Sequence, residues 1–134
     1  MKKSQQFKPY QFQLSEEIFK SAVFIMVNRS YDSMIRYVQK KFPNFELPKH
    51  LSNSLGLCFS HKDKKSGILY SFVWVKKFDW TIGAQGCYLH ELCHFIWHLI
   101  DEKNMVASHN DEPYCYLFEY YMKESWKKLQ RFYK

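Results

Sequence analysis

The apolar residues near the start of the chain recur at helical spacing and predict an N-terminal helix. Ser15 is a suitable N-cap, and Glu16 and Glu17 fall in the first turn, where acidic residues are favourable. The apolar positions that follow are Ile18, Phe19, Ala22, Val23, Ile25 and Met26. The helix continues or kinks through residues 28–30 into a second apolar stretch, made of Met34, Ile35, Tyr37 and Val38. It ends before Pro43, and residues 42–53 are interpreted as a loop.

The next apolar segments predict an antiparallel β-hairpin. Leu55 to Ser60 is a short strand, residues 61–67 form a polar turn, and Ile68 to Val75 is the second strand. In the second strand apolar residues occupy both faces: Ile68, Tyr70, Phe72 and Trp74 share one, and Leu69, Val73 and Val75 share the other. Such a strand is expected to be interior or covered by helices. Either strand of the hairpin could align an extended substrate by backbone pairing, and the pattern leaves both open.

A long helix is predicted after the hairpin. The segment from Ala84 to Ile100 is free of proline and apolar around nearly its whole circumference, which predicts a buried helix. Asp79 or Thr81 is placed to cap it. Gly83 and Gly86 either form the turn into this helix or allow the backbone of the hairpin to approach closely, and the turn is the favoured interpretation.

The last helix is predicted from Tyr114 to about Phe132, with Asn110 as its N-cap. A helix that returns antiparallel to the preceding one would bring its N-terminal region back toward that helix. The order of elements is that of an α+β fold: an N-terminal helix, an antiparallel hairpin and two C-terminal helices. Because 134 residues is close to the commonest domain size, a single domain over residues 1–134 is predicted.

The predicted buried helix contains the sequence His90-Glu91-Leu92-Cys93-His94, an H-E-x-x-H motif. Residues four apart lie on the same face of a helix, so both imidazoles can bind one metal ion. Glu91 is offset by one residue, where it can take a proton from a water molecule that a Zn²⁺ ion activates. A buried His-Glu-His face is costly unless a metal compensates it. The alternative is a surface helix whose histidines bind nothing, because the five-residue pattern also occurs by chance.

A catalytic zinc site needs a third protein ligand. The metzincin pattern is excluded, because Trp97 and Ile100 occupy the positions where it requires glycine and histidine. His98 continues the histidine stack but points away from a tetrahedron centred between the two motif histidines. It is therefore interpreted as a pocket wall or a core residue, with ligation as an alternative. Glu102 lies farther still, near the helix end. The favoured candidate is Glu112, whose carboxylate also suits the N-terminal turn of the last helix.

The motif, its apolar helix and the downstream sequence Asp-Glu-Pro-Tyr-Cys-Tyr-Leu resemble a minimal zincin with a glutamate as third ligand. This gluzincin-like arrangement is similar to small H-E-x-x-H proteins encoded by bacteriophages and prophages. The likeness covers roughly Gly56 to Tyr121, and its specific part is the motif together with Glu112. The resemblance implies that His90, His94 and Glu112 bind zinc, that Glu91 is the general base, and that there is no propeptide.

Further residues are candidates for supporting roles. Tyr116 and Tyr120 follow Glu112 by four and eight residues, so a phenol could face the metal and stabilise an oxyanion. With ten tyrosines in the chain, an ordinary core role is the alternative. Asp101 or Asp111 could accept the second N–H of a ligating histidine, or could simply be a charge at a helix end.

Composition narrows the class of protein. The net charge of +7 comes from dispersed lysines, which is typical of a solvated surface, so nucleic-acid binding is possible but not favoured. The four cysteines lack C-x-x-C spacing and are interpreted as buried thiols in a reducing compartment. No apolar run is long enough to span a membrane and no signal peptide is recognisable, which predicts a cytoplasmic protein, in the host cytoplasm if phage-encoded.

Two functions fit these observations. The first is a small zinc-dependent metallopeptidase that hydrolyses peptide or protein substrates. The second is a non-catalytic zincin-like module in which zinc joins the last two helices and the function is binding. An open coordination position beside Glu91 would favour the enzyme, whereas a site closed by His98 or Cys93 would favour the module. The oligomeric state is left open.

Overall fold

The computed structural model describes residues 8–45, 53–104 and 112–133. The elements in these ranges are β1 (Tyr10–Glu16), β2 (Ser21–Val27), α1 (Tyr31–Lys41), β3 (Gly56–Lys62), β4 (Leu69–Val75), α2 (Ile82–Glu102) and α3 (Glu112–Phe132). The mixture of helices and strands confirms an α+β fold at the level of fold class.

The four strands form one mixed sheet in the order β1-β2-β4-β3. The neighbours β2 and β4 are parallel, whereas β1 with β2 and β3 with β4 are antiparallel. Parallel neighbours need a crossover connection, and the chain between β2 and β4 contains α1 and β3. Among the described strands, β1 and β3 are therefore the two edges of the sheet.

Each face of the sheet is covered by helices. Alternate residues of β2 and β4 point to opposite faces. Phe24, Met26, Phe72 and Trp74 form one core with Tyr31, Met34 and Val38 of α1. The intervening residues, including Val23, Ile25, Val73 and Val75, form a larger core with α2 and α3. This arrangement confirms that the strand after the polar turn is interior and apolar on both faces.

The predicted N-terminal helix is wrong, because the chain forms the β1–β2 hairpin there. Ser15 lies within β1, and the Glu16 carboxylate accepts hydrogen bonds from the backbone N–H groups of Ile18 and Phe19 at 2.9 Å in the turn. Lys20 completes the turn with a φ of 48°. Ile18, expected on a buried helical face, is 73% exposed. The run from Ala22 to Val27 is apolar at consecutive positions because both faces of β2 are covered, and such a run also contains a helical spacing.

The remaining predicted elements are confirmed with shifted ends. The second apolar stretch of the N-terminal region forms α1, the hairpin strands are β3 and β4, and the two long helices are α2 and α3. Thr81 caps α2, because its hydroxyl accepts a hydrogen bond from Ala84 N at 3.2 Å, and Asp79 accepts from Thr81 in turn. Asn110, Asp111 and most of the predicted loop (residues 46–52) lie outside the described residues.

The two long helices pack against each other in antiparallel directions. Tyr114, near the start of α3, contacts Trp97, whereas Trp126, near its end, contacts Tyr88 in the first half of α2. The buried hydroxyl of Tyr88 donates a hydrogen bond to Ser125 of α3. This confirms the antiparallel return of the last helix. No helix within residues 8–45, 53–104 and 112–133 has the length and apolar character needed to cross a membrane.

The cysteines differ from expectation in their burial. All four are free thiols, but Cys115 is exposed and the other three, Cys58, Cys87 and Cys93, are only half-buried. The interpretation of the cysteines as buried thiols is therefore wrong for Cys115 and holds only in part for the other three, of which Cys58 and Cys87 pack against the core. Cys115 lies on the outward side of α3, where helical periodicity rather than residue type determines exposure.

Candidate metal centre

The helix that carries the motif has one buried face and one exposed face. Its buried residues are Tyr88, Glu91, Leu92, Phe95, Ile96, Leu99 and Ile100. His90, His94 and His98 are exposed, and so is the indole of Trp97, at 52%. The prediction of a helix buried on all sides is therefore wrong. Because the exposed imidazoles remain solvated, they carry no desolvation cost that a metal ion would have to offset. The cost of burying histidines is therefore not an argument for a metal at this position.

The two motif histidines are nevertheless arranged as a pair. The Nε2 atoms of His90 and His94 are 3.1 Å apart, and their rings are nearly perpendicular. Two nitrogens bound to one zinc ion at about 2.0–2.1 Å lie about 3.3–3.4 Å apart at the ideal tetrahedral angle. The observed separation is within a few tenths of an ångström of that value. The i, i+4 spacing therefore presents two converging nitrogen donors.

Glu91 lies at the border between the exposed histidine face and the core. Its side chain is only 7% exposed. Burial raises the pKa of the Glu91 carboxyl above its ordinary value, and the neighbouring His90 and His94 oppose this shift. A carboxylate with a raised pKa is a stronger base than an exposed one. The structure thus brings together the motif carboxylate and the two motif imidazoles.

Strand β3 approaches Glu91 closely at Gly56. A Cβ atom on Gly56 would lie 3.0 Å from Cys87 Sγ, 3.1 Å from Glu91 Cγ and 3.1 Å from the carbonyl oxygen of Trp74. A side chain at this position would therefore have to displace at least one of these neighbours. A glycine at the start of a predicted strand was the available signal for such an approach.

The two glycines considered for that role lie elsewhere. Gly83 and Gly86 are in the first turns of α2, and a Cβ added to either would have no neighbouring heavy atom within 4 Å. They neither form the turn into the helix nor allow the hairpin to approach it. Both interpretations of these glycines are wrong, because the helix starts at Ile82, before them.

His98 is turned toward β3. Its Nδ1 lies 3.2 Å from Ser60 Oγ and 3.9 Å from Cys58 Sγ. The hydroxyls of Ser60 and Ser71 are in turn 2.7 Å apart. Burial lowers the pKa of His98, His94 adds to this effect, and Asp101 opposes it. Neither serine was recognised in the sequence, because their proximity to His98 depends on how α2 packs against the hairpin.

The other candidate ligands lie in different surroundings. Glu102 forms an ion pair with Lys62 of β3 at 2.5 Å. Glu112 is exposed at the first residue of α3, and two residues later the Tyr114 hydroxyl lies 3.7 Å from Cys93 Sγ. Within the part of the chain that the structure describes, no group of three His, Cys, Asp or Glu side chains is arranged to hold a metal ion. Ligation by Glu112 therefore stays a prediction.

The tyrosines proposed to assist catalysis lie toward the β1–β2 turn. The Tyr120 hydroxyl donates to the carbonyl oxygen of Ser15 at 2.9 Å, and the Tyr116 ring lies beside the rings of Phe19 and Tyr120. Strand β1 is at the opposite edge of the sheet from β3, against which His98 packs. These contacts direct both phenols away from the histidines.

Of two depressions on the protein surface, one lies near the motif and the other does not. The larger, about 380 Å³, lies between the β1–β2 turn and the start of β4, and no residue of the motif lines it. A smaller one, about 220 Å³, lies beside the first turns of α2 and is lined by Leu55, Thr81, Ala84 and Cys87, among others. The smaller depression reaches Leu55, the neighbour of Gly56 in sequence, and Cys87, about one helical turn before His90.

Comparison with known proteins gives no family for this chain. No protein-family model matches it, and neither a curated protein nor a solved structure gives a significant match.

Proposed function

We propose that the protein is a zinc-dependent metallopeptidase of zincin-like architecture. The observation that carries this proposal is the converging pair of imidazoles, with Nε2 atoms 3.1 Å apart, beside the buried carboxylate of Glu91. In this proposal His90, His94 and Glu112 bind the zinc. Two imidazoles and a carboxylate form a ligand set that zinc hydrolases use, and the separation of the imidazoles fits it.

The chemistry divides between the metal and the chain. When bound, zinc polarises the substrate carbonyl and lowers the pKa of a water molecule. Glu91 accepts a proton from that water and passes it to the leaving amine. Its raised pKa suits this role, since a general base works best when its pKa is near the working pH.

Strand β3 is the element proposed to hold the substrate. Its inner edge pairs with β4, and among the described strands it has no second neighbour. An extended peptide can therefore add to its outer edge by backbone hydrogen bonding. Strand β4 is interior and cannot do this. The depression beside Leu55 and Cys87 offers space for an apolar side chain of that peptide.

One observation favours the second candidate, a zinc-binding or metal-free interaction module. The described residues contain no third side chain grouped with the histidine pair. Zinc is not needed to join α2 and α3, because buried aromatic contacts and the Tyr88–Ser125 hydrogen bond already hold these helices together. The enzyme is therefore the preferred proposal.

The decisive measurements are zinc content and peptide cleavage on the same preparations. Wild type is expected to hold one zinc ion per chain, and His94→Ala and Glu112→Ala are expected to lower its content or affinity. Glu91→Gln is expected to keep the zinc and to lower kcat by at least about 10²–10⁴-fold. Glu119→Gln, on the exposed side of α3, is the matched control for loss of a carboxylate and should behave as wild type.

Each part of the proposal has an outcome that contradicts it. Equal zinc in wild type and His94→Ala would exclude the histidine site. Unchanged zinc affinity in Glu112→Ala would exclude Glu112 as the third ligand. A zinc-loaded wild type that cleaves nothing in a broad peptide library would leave the interaction module as the function.

A further inference from the structure

A chain of hydroxyl groups connects the interior of the sheet to His98. Ser60 of β3 and Ser71 of β4 are directly opposite each other in the antiparallel register, and their hydroxyls are 2.7 Å apart. Ser71 is completely buried, on the face that also carries Leu69 and Val73. Ser60 continues the chain to His98 Nδ1 at 3.2 Å. Two hydroxyls thus replace apolar side chains on this face, directly beneath the imidazole.

The donors and acceptors in this series of hydrogen bonds are assigned from its buried end, the hydroxyl of Ser71. Among the described residues, Ser60 is the one hydrogen-bond partner of Ser71 Oγ. A buried hydroxyl that cannot donate its proton costs more than one with an unused lone pair, so Ser71 donates to Ser60. Ser60 then keeps its own proton available for His98 Nδ1, 3.2 Å away. With Nδ1 as the acceptor, the ring is neutral and its proton is on Nε2.

We propose that His98 is held by Ser60 and Ser71 as a neutral Nε2–H donor that hydrogen-bonds the carbonyl oxygen of a peptide bound along β3. The side chain is exposed, its Nδ1 side faces β3, and its ring lies 6.3 Å from the ring of His94. A peptide that pairs with the outer edge of β3 passes beside it. The hydrogen bond from His98 to a substrate carbonyl rests on the proposed function, whereas the assignment of the ring proton to Nε2 does not.

The assignment has two chemical consequences. A protonated Nε2 has no lone pair for a metal, so His98 is not the third zinc ligand. A neutral donor beside the histidine pair can stabilise the negative charge that grows on the carbonyl oxygen when water attacks it. Ser60 and Ser71 act through His98 and are positioning residues.

The position of the ring proton is measured by ¹⁵N NMR of the labelled protein, in which the shifts of the two imidazole nitrogens identify the protonated one. His98→Phe assigns the signals. Wild type is expected to carry the proton on Nε2, and Ser60→Ala and Ser71→Ala are expected to shift the population toward Nδ1–H. Ser66→Ala is the matched control, since Ser66 bonds to Asp63 in the exposed turn. A wild type protonated on Nδ1, or a population that neither serine variant changes, overturns the assignment.

Kinetics on a cleaved peptide test the use of the donor. His98→Phe is expected to lower kcat by about 10²–10³-fold with little change in KM and with full zinc, and His98→Gln, which keeps an N–H donor, should recover part of the loss. Ser60→Ala should lower kcat by about 2–10-fold, as expected for one neutral hydrogen bond. If Glu91→Gln inactivates the enzyme but His98→Phe keeps the wild-type kcat, the role of His98 as a donor is overturned and the proposed function is not. If wild type is also inactive, the proposed function fails, and the NMR result decides the protonation of His98.

Discussion

Gly56 gives the sharpest test of how the strand and the motif helix fit together. In Gly56→Ala the new Cβ atom would meet Cys87 Sγ, Glu91 Cγ and the Trp74 carbonyl oxygen at 3.0–3.1 Å. The Trp74 oxygen belongs to the backbone of β4 and cannot turn away, so β3 must move outward from α2. The substitution should therefore destabilise the fold and displace Glu91.

The magnitude follows from two opposing effects. Inserting one carbon into a packed contact costs about 1–3 kcal/mol. Restricting the unfolded chain by replacing glycine with alanine returns about 0.4–1 kcal/mol, because Gly56 does not need a positive φ. The net loss in the free energy of unfolding should be about 1 kcal/mol, and at most about 2.6 kcal/mol. For a domain of this size, each kcal/mol lowers Tm by about 3–5 °C.

Thermal unfolding followed by circular dichroism measures the loss, and Gly86→Ala is the matched control. Gly86 is exposed inside α2 with nothing near its missing Cβ, so alanine there should raise stability by up to about 1 kcal/mol. The reasoning is refuted if Gly56→Ala is as stable as wild type or if the two variants change Tm in the same direction. In a zinc-loaded enzyme, Gly56→Ala should also lower kcat while keeping the metal.

Two further predictions concern stability. In metal-free protein at pH 7, Glu91→Gln should raise Tm, because burial raises the pKa of Glu91 and the ionised carboxylate therefore opposes folding. The gain should shrink as the pH falls through the folded-state pKa, where wild type becomes neutral too, and a gain independent of pH would refute it. Asn28→Ala should cost about 2–4 kcal/mol in denaturant unfolding, since its side chain bonds both Phe78 N and Phe78 O and donates to the Tyr133 hydroxyl. Gln13→Ala, an exposed amide on β1, is its control, and equal losses in the two variants would contradict the role of Asn28.

The sequence pattern predicted elements where one signal dominated. Residues 84–100 and 114–132 are long and periodic, and β4 is bounded by a polar turn, so their types were predicted correctly. The N-terminal region failed because Ile18, Phe19 and Ala22 fit a helical spacing that the buried strand β2 also contains. The deciding fact, that helices cover β2 on both faces, depends on parts of the chain far away in sequence.

The features of the candidate site were likewise predictable only where they depend on local geometry. The convergence of His90 and His94 needs only the geometry of one helix, so the motif predicted it. The burial of Glu91 and the exposure of the histidines depend on which side of α2 faces the sheet. The contacts of Gly56 and Ser60 depend on the register between β3 and a helix about 30 to 40 residues away. No local pattern encodes such a register, although glycine and serine in an apolar strand indicate positions where something unusual happens.

Strand β3 and helix α2 run in the same direction along each other, and this alignment ties the site together. Gly56 lies against Glu91, Ser60 against His98, and Lys62 against Glu102. A slip of β3 by two residues against β4 would keep the same faces but move each partner by about 7 Å along the strand. A slip of one residue would turn the Ser60 hydroxyl to the other face. The pairing of β3 with β4 therefore determines which residues of β3 face Glu91 and His98, and the Lys62–Glu102 ion pair at the far end agrees with the same register.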